Sequence, residues 1–142
     1  MSAAEVEGLL GRAWEARERA YAPYSRFAVG AALETDAGIF TGANVENAAY
    51  PTGICAERTA GAAAVAAGAR RFLTIAVVSD TGPGGSPASP CGQCRQFLRE
   101  FDPSGTLVVV AEHPSGERRE WSLGQLLPDS FGPDDLAATP PD

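Results

Sequence analysis

Hydrophobic positions at the start of the chain follow first a helical and then a strand period. In "AEVEGLLGRAWEARERA" the apolar residues recur at i, i+3 and i+4, which predicts a helix that ends before Pro23. The apolar face of this helix consists of Val6, Leu9, Leu10, Ala13 and Trp14. In "FAVGAALET" the period becomes two, which predicts a strand with Phe27, Val29, Ala31 and Leu33 on one side. A "DAG" turn leads into a second strand, "IFTGANVE".

Helices and strands continue to alternate through the rest of the chain. The segments are an alanine-rich helix from Cys55 to Ala67, an apolar strand "FLTIAVVSD", a loop "TGPGGSPASP", a helix "CGQCRQFLREF", strands "TLVVVAE" and "REWSL", a short helix or turn "SLGQLLP" and a tail "DSFGPDDLAATPPD". Five strands with helices between them predict an α/β sandwich around one mixed sheet. The sequence shows no repeat and no domain boundary. We therefore expect residues 1–142 to form a single domain, with 128–142 as a C-terminal tail.

The amino-acid composition disfavours some classes of binding partner and excludes some kinds of chemistry, by charge and by residue type. Eighteen acidic and eleven basic residues give a net charge of −7, which disfavours binding to the phosphate backbone of nucleic acids. All eleven bases are arginine, which excludes Schiff-base lysine chemistry and the lysine of a P-loop. No apolar run approaches the ~20 residues that a membrane-spanning helix needs. The acidic start "MSAAEVEGLL" differs from a secretory signal, so we expect a cytoplasmic protein, without a stabilising disulfide, that binds a small neutral ligand.

The segments "ICAER" and "SPCGQC" contain all three cysteines, and each opens a predicted helix. The N-terminus of a helix favours a thiolate over a thiol. Cys91 and Cys94 are one helical turn apart, so both sulfurs can bind one metal ion, and Cys55 can supply a third ligand. Three protein ligands are typical of a catalytic zinc site, whereas a structural site has four.

Two alternatives remain open for the cysteines at this point. The single histidine, His113, could supply a fourth ligand, although a lone histidine between a strand and a turn is more often a solvated turn residue. "CGQC" could instead be a thioredoxin-like redox pair, with Cys55 as a buried apolar thiol. Neither alternative explains the two charged residues that follow Cys55 in "CAER".

Glu57 and Arg58 are those two charged residues. A carboxylate beside a zinc site is a common proton acceptor, and Glu57 is close enough in sequence to reach an open zinc position. A glutamate in the first turn of a helix also suits the helix dipole, so Glu57 alone is a weak signal. Arg58 lies one turn from Cys55, where its guanidinium would offset the negative charge of a zinc ion bound by three thiolates.

Two motifs taken together are far more specific than any of these residues alone. "NVENAAYPTGICAERTA" followed by "SPCGQCRQF" closely resembles the small, free-nucleoside cytidine deaminases of the three-cysteine zinc class. The resemblance extends from "YAPYSRFAVGAAL" to "LLPDSFGPDDL". It implies a three-layer α/β/α sandwich with a mixed five-stranded sheet, one Zn²⁺ per subunit, and a homotetramer with shared active sites. The implied reaction is hydrolytic deamination of cytidine and deoxycytidine in pyrimidine salvage.

The resemblance also implies a role for individual residues. It assigns zinc binding to Cys55, Cys91 and Cys94, and proton transfer to Glu57. It assigns the ribose hydroxyls to Asn44 and Glu46, the pyrimidine pocket to Phe27, a backbone contact with substrate to Ala48, and closure of a neighbouring subunit's site to Phe131. Tyr24 and Tyr50 match positions near the site or in subunit contacts. Alternation on a strand end would point Asn44 and Glu46 the same way.

Three other functions compete with this interpretation. Blasticidin-S deaminase shares the zinc motifs, but the intact "NVEN" and the "SFGPDDL" tail favour the nucleoside enzyme. A tRNA or DNA editor needs a basic face, which this composition does not supply. A structural zinc module or an inactive binding protein would not need Glu57. Deamination of a free nucleoside is therefore the function that the sequence predicts.

Overall fold

The structure, a computed structural model, describes residues 1–80 and 85–136. The helices are α1 (Ala3–Arg17), α2 (Ala56–Ala66), α3 (Gly92–Arg99) and α4 (Leu123–Leu126), and the strands are β1 (Val29–Thr35), β2 (Gly38–Ala43), β3 (Phe72–Ser79), β4 (Val108–Glu112) and β5 (Arg118–Ser122). Every predicted helix and strand is present, with ends shifted by up to three residues. Residues 81–84 of the predicted loop and 137–142 of the predicted tail lie outside the described residues.

The strands form one mixed sheet with helices on both faces. The order across the sheet is β2-β1-β3-β4-β5. β3 and β4 are parallel, and the other neighbouring pairs are antiparallel. α1 packs on one face, and α2 and α3 pack on the other. The predicted three-layer α/β/α sandwich with a mixed five-stranded sheet is confirmed.

The hydrophobic core has one half on each side of the sheet. On the α1 side, Leu9, Leu10 and Ala13 are buried against strand residues Ala32, Ala76, Val78 and Val110. On the other side, the buried set includes Ala31, Leu33, Ile75, Val77 and Val109 from the strands, with Ala56, Ala60, Ala64 and Leu98 from the helices. The predicted apolar face of α1 is confirmed. The prediction that the first strand includes Phe27 is wrong, because β1 begins at Val29.

Glycines let two helices approach the sheet closely. A Cβ atom on Gly30 of β1 would lie 2.0 Å from the Ala13 carbonyl oxygen in α1. A Cβ atom on Gly42 of β2 would lie 2.5 Å from the Ala60 amide nitrogen in α2. Since both neighbours are backbone atoms, no side-chain movement can relieve either contact. These glycines therefore set the distance of both helices from the sheet.

Topology brings several chain ends to one edge of the sheet. α3 follows β3 and leads to the parallel strand β4, so its N-terminus lies beside the C-terminal end of β3. The C-terminal end of α2 leads into the start of β3. The N-terminus of α2 therefore lies beside the end of β3, at the same edge of the sheet. Pairing places the start of β1 and the end of β2 there too, since Val29 pairs with Ser79 and Gly30 with Ala43. We expect the functional site at this edge.

A substitution at Gly30 tests the close packing of α1. Gly30→Ala should lower the free energy of unfolding by ~1–3 kcal/mol or more, because the added methyl group overlaps backbone atoms of α1. Gly11→Ala is the matched control, since a Cβ there has no neighbour within 4 Å, and it should raise the free energy by ~0.5–1 kcal/mol. Urea unfolding measures both. Equal stability of Gly30→Ala and wild type would contradict this packing.

Candidate active site

Three cysteine sulfurs lie together where α2 and α3 begin. Cys55 Sγ is 3.8 Å from Cys91 Sγ, and Cys91 Sγ is 3.4 Å from Cys94 Sγ. The three sulfurs all lie within 4.8 Å of one another. Cys94 is buried, Cys55 is half-buried and Cys91 is exposed. The structure therefore joins two segments that are 36 residues apart in sequence into one thiol cluster.

Helix geometry explains why these thiols are ready to bind a cation. Cys55 is the N-cap residue of α2 and Cys91 is the N-cap residue of α3, and neither side chain makes a capping hydrogen bond. Ser, Thr, Asp or Asn would normally occupy such a position and bond to the helix amides. With cysteine there, the sulfurs stay free while the positive end of each helix dipole favours thiolates.

The cluster fits a zinc ion. Zn–S bonds of ~2.3 Å in a tetrahedron place sulfurs about 3.8 Å apart, close to the separations observed. Three thiols leave a fourth position open, as in catalytic sites. His113 is not in the cluster; its Nδ1 atom instead accepts a hydrogen bond from the Ser115 amide at 3.1 Å. Within the described residues the cluster is thus a three-thiol site, with neither a histidine ligand nor a disulfide.

Glu57 places a carboxyl group next to the cluster. It lies in the first turn of α2 and is only 4% exposed. Burial raises the pKa of the Glu57 carboxyl to about 7, and the negative charge of Cys55 acts in the same direction. A carboxyl group with a pKa near neutrality can both accept and donate a proton at the pH of a cell.

Arg58 supplies positive charge to the cluster. Its Nη2 atom lies 3.9 Å from Cys55 Sγ. Its Nε atom is buried and has no hydrogen-bond partner among the described residues. Contact with Cys94, supported by Arg58, lowers the pKa of the Cys55 thiol, while the same contact and burial raise the pKa of Cys94. Arg58 thus lies where the sequence predicts a charge-balancing residue.

A cavity of about 180 Å³ opens beside the sulfurs and the carboxyl group. Its lining includes Cys55, Cys91 and Glu57, together with Phe27, Val29, Asn44, Val77, Ser79, Ala88 and Ser89. The wall is mostly apolar, as in pockets that bind flat organic rings. Of the residues predicted to bind substrate, the structure brings Phe27 and Asn44 into this cavity.

The Asn44 side chain hydrogen-bonds to the backbone of the segment that contains Phe27. The Asn44 side chain accepts a hydrogen bond from the Val29 amide at 2.9 Å and donates one to the Phe27 carbonyl at 2.8 Å. An asparagine amide still has one donor and one acceptor site free after these two bonds. Phe27 is 39% exposed, so it lines the cavity rather than packing in the core.

Glu46 and Ala48 lie outside this cavity. The Glu46 carboxylate accepts hydrogen bonds from the Tyr24 amide at 2.9 Å, the Ser25 amide at 3.1 Å and the Ser25 hydroxyl. These bonds, that of the hydroxyl foremost, lower the pKa of Glu46. Glu46 lines a neighbouring cavity of about 340 Å³, with Tyr24, Ser25, Asn47, Tyr50 and Gly53, and Ala48 is in an exposed bend.

The expected strand end at Asn44 and Glu46 is wrong. β2 stops at Ala43, and Val45 then makes single bridges to Tyr21 and Ile54. The Asn44 amide still donates a hydrogen bond to the Val29 carbonyl of β1 at 3.3 Å, but from Val45 onward the backbone groups pair with those two segments instead. Asn44 and Glu46 consequently bond to different parts of the chain and line different cavities.

Phe131 lies in the tail and is 56% exposed. The Gln96 side chain of α3 donates a hydrogen bond to its carbonyl at 2.9 Å, and Arg99 donates one to the Ser130 hydroxyl at 2.9 Å. Phe131 does not line the cavity of its own chain. The tail is thus attached to α3, the helix at whose N-terminus Cys91 and Cys94 lie, and its aromatic residue is more than half exposed.

Sequence reasoning missed Ser79 and Ser89, two hydroxyl groups that line the cavity. Ser79 is the last residue of β3 and pairs with Val29. Ser89 comes two residues before Cys91. The polar end of an apolar strand and a serine just before a cysteine motif were available signals, but only the folded chain shows that both residues line one cavity with Cys55 and Cys91.

The fold and this site together define a zinc-dependent deaminase-like protein, with three thiol ligands and a buried carboxyl group at the N-termini of two helices. The sequence matches the family described as "Cytidine and deoxycytidylate deaminase zinc-binding region" over residues 4–111. It is 46% identical over 134 residues to the cytidine deaminase of Sporosarcina psychrophila, across 94% of this chain and 96% of that protein. The chain therefore belongs to the family of cytidine and deoxycytidylate deaminases.

Solved structures agree with this assignment. The crystal structure of cytidine deaminase from Burkholderia pseudomallei has a TM-score of 0.82 and 49% sequence identity, and the match covers 92% of this chain and 100% of that one. The crystal structure of cytidine deaminase from Mycobacterium tuberculosis has a TM-score of 0.75 and 43% identity, across 90% of this chain and 98% of that one. The predicted zinc cofactor is confirmed by the family match and by the thiol cluster.

Removal of single ligands tests the zinc site. Cys55→Ala, Cys91→Ala and Cys94→Ala should each lower bound zinc well below the one ion per chain expected of the wild type, because two thiolates hold zinc less tightly than three. His113→Ala is the control and should keep its zinc, since His113 lies outside the cluster. Elemental analysis of protein purified without chelator measures this. Loss of zinc from His113→Ala would mean a closed, structural site.

Proposed function

We propose that this chain is a cytidine deaminase that converts cytidine and deoxycytidine to uridine and deoxyuridine with release of ammonia. The strongest support is that one cavity contains two of the three clustered thiols, the buried Glu57 carboxyl group and an asparagine beside an aromatic ring. The wall of this cavity is mostly apolar with a few polar groups, as in sites that bind small organic molecules. The acidic chain suits a substrate without phosphate groups.

Zinc and Glu57 divide the chemistry between them. When bound to the three thiols, zinc supplies Lewis acidity and makes water a nucleophile near neutral pH. Glu57 accepts a proton as the water oxygen bonds to C4 of the pyrimidine, and it delivers protons to N3 and to the exocyclic nitrogen. The C4–N bond then breaks. One proton of the water ends on N3 of the product and the other on ammonia, so the reaction needs no other reactant.

The positions of the polar groups give the substrate one orientation. C4 and the ribose-bearing N1 are opposite atoms of the pyrimidine ring. When C4 lies near the sulfurs, the ribose points away from them, and Asn44 has one donor and one acceptor free to bind its hydroxyls. Glu46 has acceptor capacity left after its bonds to Tyr24 and Ser25. We propose that Asn44 and Glu46 bind the ribose and that Phe27 packs on the base.

Exposed aromatic rings support a shared site between subunits. Tyr24 and Tyr50 have ring centroids 5.8 Å apart and are both exposed, as is Phe131. Exposed clusters of this kind are typical of interaction surfaces. We propose a homotetramer in which the tail, residues 128–142 of the single domain 1–142, places Phe131 at a neighbour's site, beside the Ala48 backbone. Light scattering should give the mass of four chains, and a monomeric active enzyme would contradict the shared site.

Three free thiols suit a reducing compartment, so we place the enzyme in the cytoplasm. Within residues 1–80 and 85–136, no helix combines the length and the apolar character that a membrane crossing requires. A cytoplasmic deaminase of free nucleosides would act in pyrimidine salvage.

Ultraviolet absorbance of cytidine incubated with zinc-analysed protein tests the proposed function. We expect one ammonia and one uridine for each cytidine lost, loss of the activity when zinc is removed by a chelator, and recovery when zinc is returned. If zinc-loaded protein leaves cytidine unchanged but deaminates blasticidin S, the proposed substrate is wrong and the enzyme acts on the antibiotic instead. Zinc-loaded protein inactive on both would contradict the proposal altogether.

Glu57→Gln tests the proton-transfer role. The variant should keep the fold and the zinc, because Glu57 is not one of the clustered ligands. Its kcat for cytidine should fall by ~10²–10⁴-fold or more, since general acid–base catalysis contributes that much. Glu5→Gln is the control, because Glu5 also lies in the first turn of a helix but is exposed and far in sequence from the cluster. Turnover near the wild-type rate in Glu57→Gln would rule out this role.

Phe131 tests the role of the tail. Phe131→Ala, or truncation after Leu127, should raise the KM for cytidine by roughly ten- to a hundred-fold, because stacking of an aromatic ring on a base contributes ~1–3 kcal/mol. Zinc content should not change. Leu136→Ala, at a tail position that is more exposed than Phe131, is the control and should have the wild-type KM. If Phe131→Ala and Leu136→Ala have the same kinetics as wild type, Phe131 is a surface residue.

A further inference from the structure

Arg95 connects the zinc site to the C-terminal part of the fold. It follows Cys94 directly in α3 and is half-buried. Its Nε atom donates a hydrogen bond to the Pro90 carbonyl at 2.7 Å, and its Nη2 atom donates one to the Ser89 hydroxyl at 2.8 Å. Its Nη1 atom donates one to the Leu126 carbonyl at 2.8 Å. All three guanidinium nitrogens therefore have a partner, and the partners lie in two different segments.

Ser89 and Pro90 matter because Cys91 follows them. Residues 85–90 contain no helix or strand. Within residues 1–80 and 85–136, the bonds from Arg95 are the only hydrogen bonds that join residues 85–90 to another part of the chain. The position of Cys91 at the start of α3 thus depends on Arg95 on its N-terminal side, in addition to the helix on its C-terminal side.

Leu126 provides the fixed end of this connection. It is the last residue of α4, which begins with a capping box formed by Ser122 and Gln125 and buries Leu123 in the core. A planar guanidinium can reach three acceptors in fixed directions, which a lysine ammonium on a flexible stem cannot do. The geometry therefore requires arginine, and not merely a positive charge, at position 95.

We infer that Arg95 is a positioning residue of the zinc site, which holds the Cys91 thiol in place for the metal by attaching Ser89 and Pro90 to the end of α4. The inference rests on the zinc site and not on the identity of the substrate. Partners of metal ligands commonly change metal affinity by ~10–100-fold when they are removed. Arg95 would act through the backbone next to a ligand rather than through the ligand itself.

Arg99 offers a matched control on the same helix. It lies one turn beyond Arg95, is also half-buried, and donates a hydrogen bond to the Ser130 hydroxyl in the tail at 2.9 Å. It has no hydrogen bond to residues 85–90. Loss of Arg99 should loosen the tail without affecting the segment before Cys91, so the two arginines separate a general effect on α3 from an effect on the zinc ligand.

The experiment measures the rate of zinc release from the full-length, zinc-loaded protein to a chelating dye. Arg95→Ala and Arg95→Lys should both release zinc about ten- to a hundred-fold faster than wild type, while Arg99→Ala should stay within about twofold of it. Ser89→Ala removes one of the three acceptors and should give a smaller acceleration. Thermal unfolding of each variant shows whether the protein is folded during the measurement.

Several outcomes would overturn the inference. Wild-type zinc retention in Arg95→Lys would show that charge, not hydrogen-bond geometry, is what the site needs. Equal acceleration in Arg95→Ala and Arg99→Ala would indicate a general loosening of α3. If Arg95→Ala does not fold, unchanged release from both Arg95→Lys and Ser89→Ala would count against it. The wild-type zinc content and cytidine turnover, measured on the same samples, test the proposed function separately.

Discussion

Three thiols from two helices have to meet at one point, and the rest of the site depends on this convergence. Cys55 and Cys91 cap two different helices, so their sulfurs can approach only if both helices begin at the same edge of the sheet. Both do so because α3 connects the parallel strands β3 and β4, whereas α2 leads back to the start of β3. Gly42 then lets α2 lie directly on β2, close enough for the Cys55 and Cys91 sulfurs to lie 3.8 Å apart.

Charge is the second requirement of this arrangement. Thiolates repel one another and a nearby carboxylate, and burial makes an ionised carboxylate more costly still. Two helix N-termini and the guanidinium of Arg58 offset this negative charge, and the Nη2 atom of Arg58 lies 3.9 Å from Cys55 Sγ. Glu57 is left with a pKa of about 7, which suits a group that must take up and release protons in one reaction cycle. The burial that raises this pKa is therefore consistent with the proton-transfer role that we propose for Glu57.

Much of the fold and the site could be predicted from sequence because the signals were local. The helical and strand periods located each element, and cysteines at two helix starts predicted the thiol cluster. The missed features depend on contacts between distant segments. Val45 continues the strand alternation in sequence, yet its partners are Tyr21 and Ile54, so the sheet ends earlier than the pattern predicts. Arg95 looked like any helix arginine, because its partner Leu126 is 31 residues away.

We propose that three thiolates and one exchangeable ligand hold a zinc ion beside Glu57. X-ray absorption at the zinc edge of the purified protein tests it most directly, because sulfur and oxygen neighbours differ in distance and scattering. We expect three sulfur neighbours at ~2.3 Å and one lighter neighbour at ~2.0–2.2 Å, the latter altered when a substrate analogue is added. Four protein ligands with no change on addition of the analogue, or fewer than three sulfurs, would contradict it.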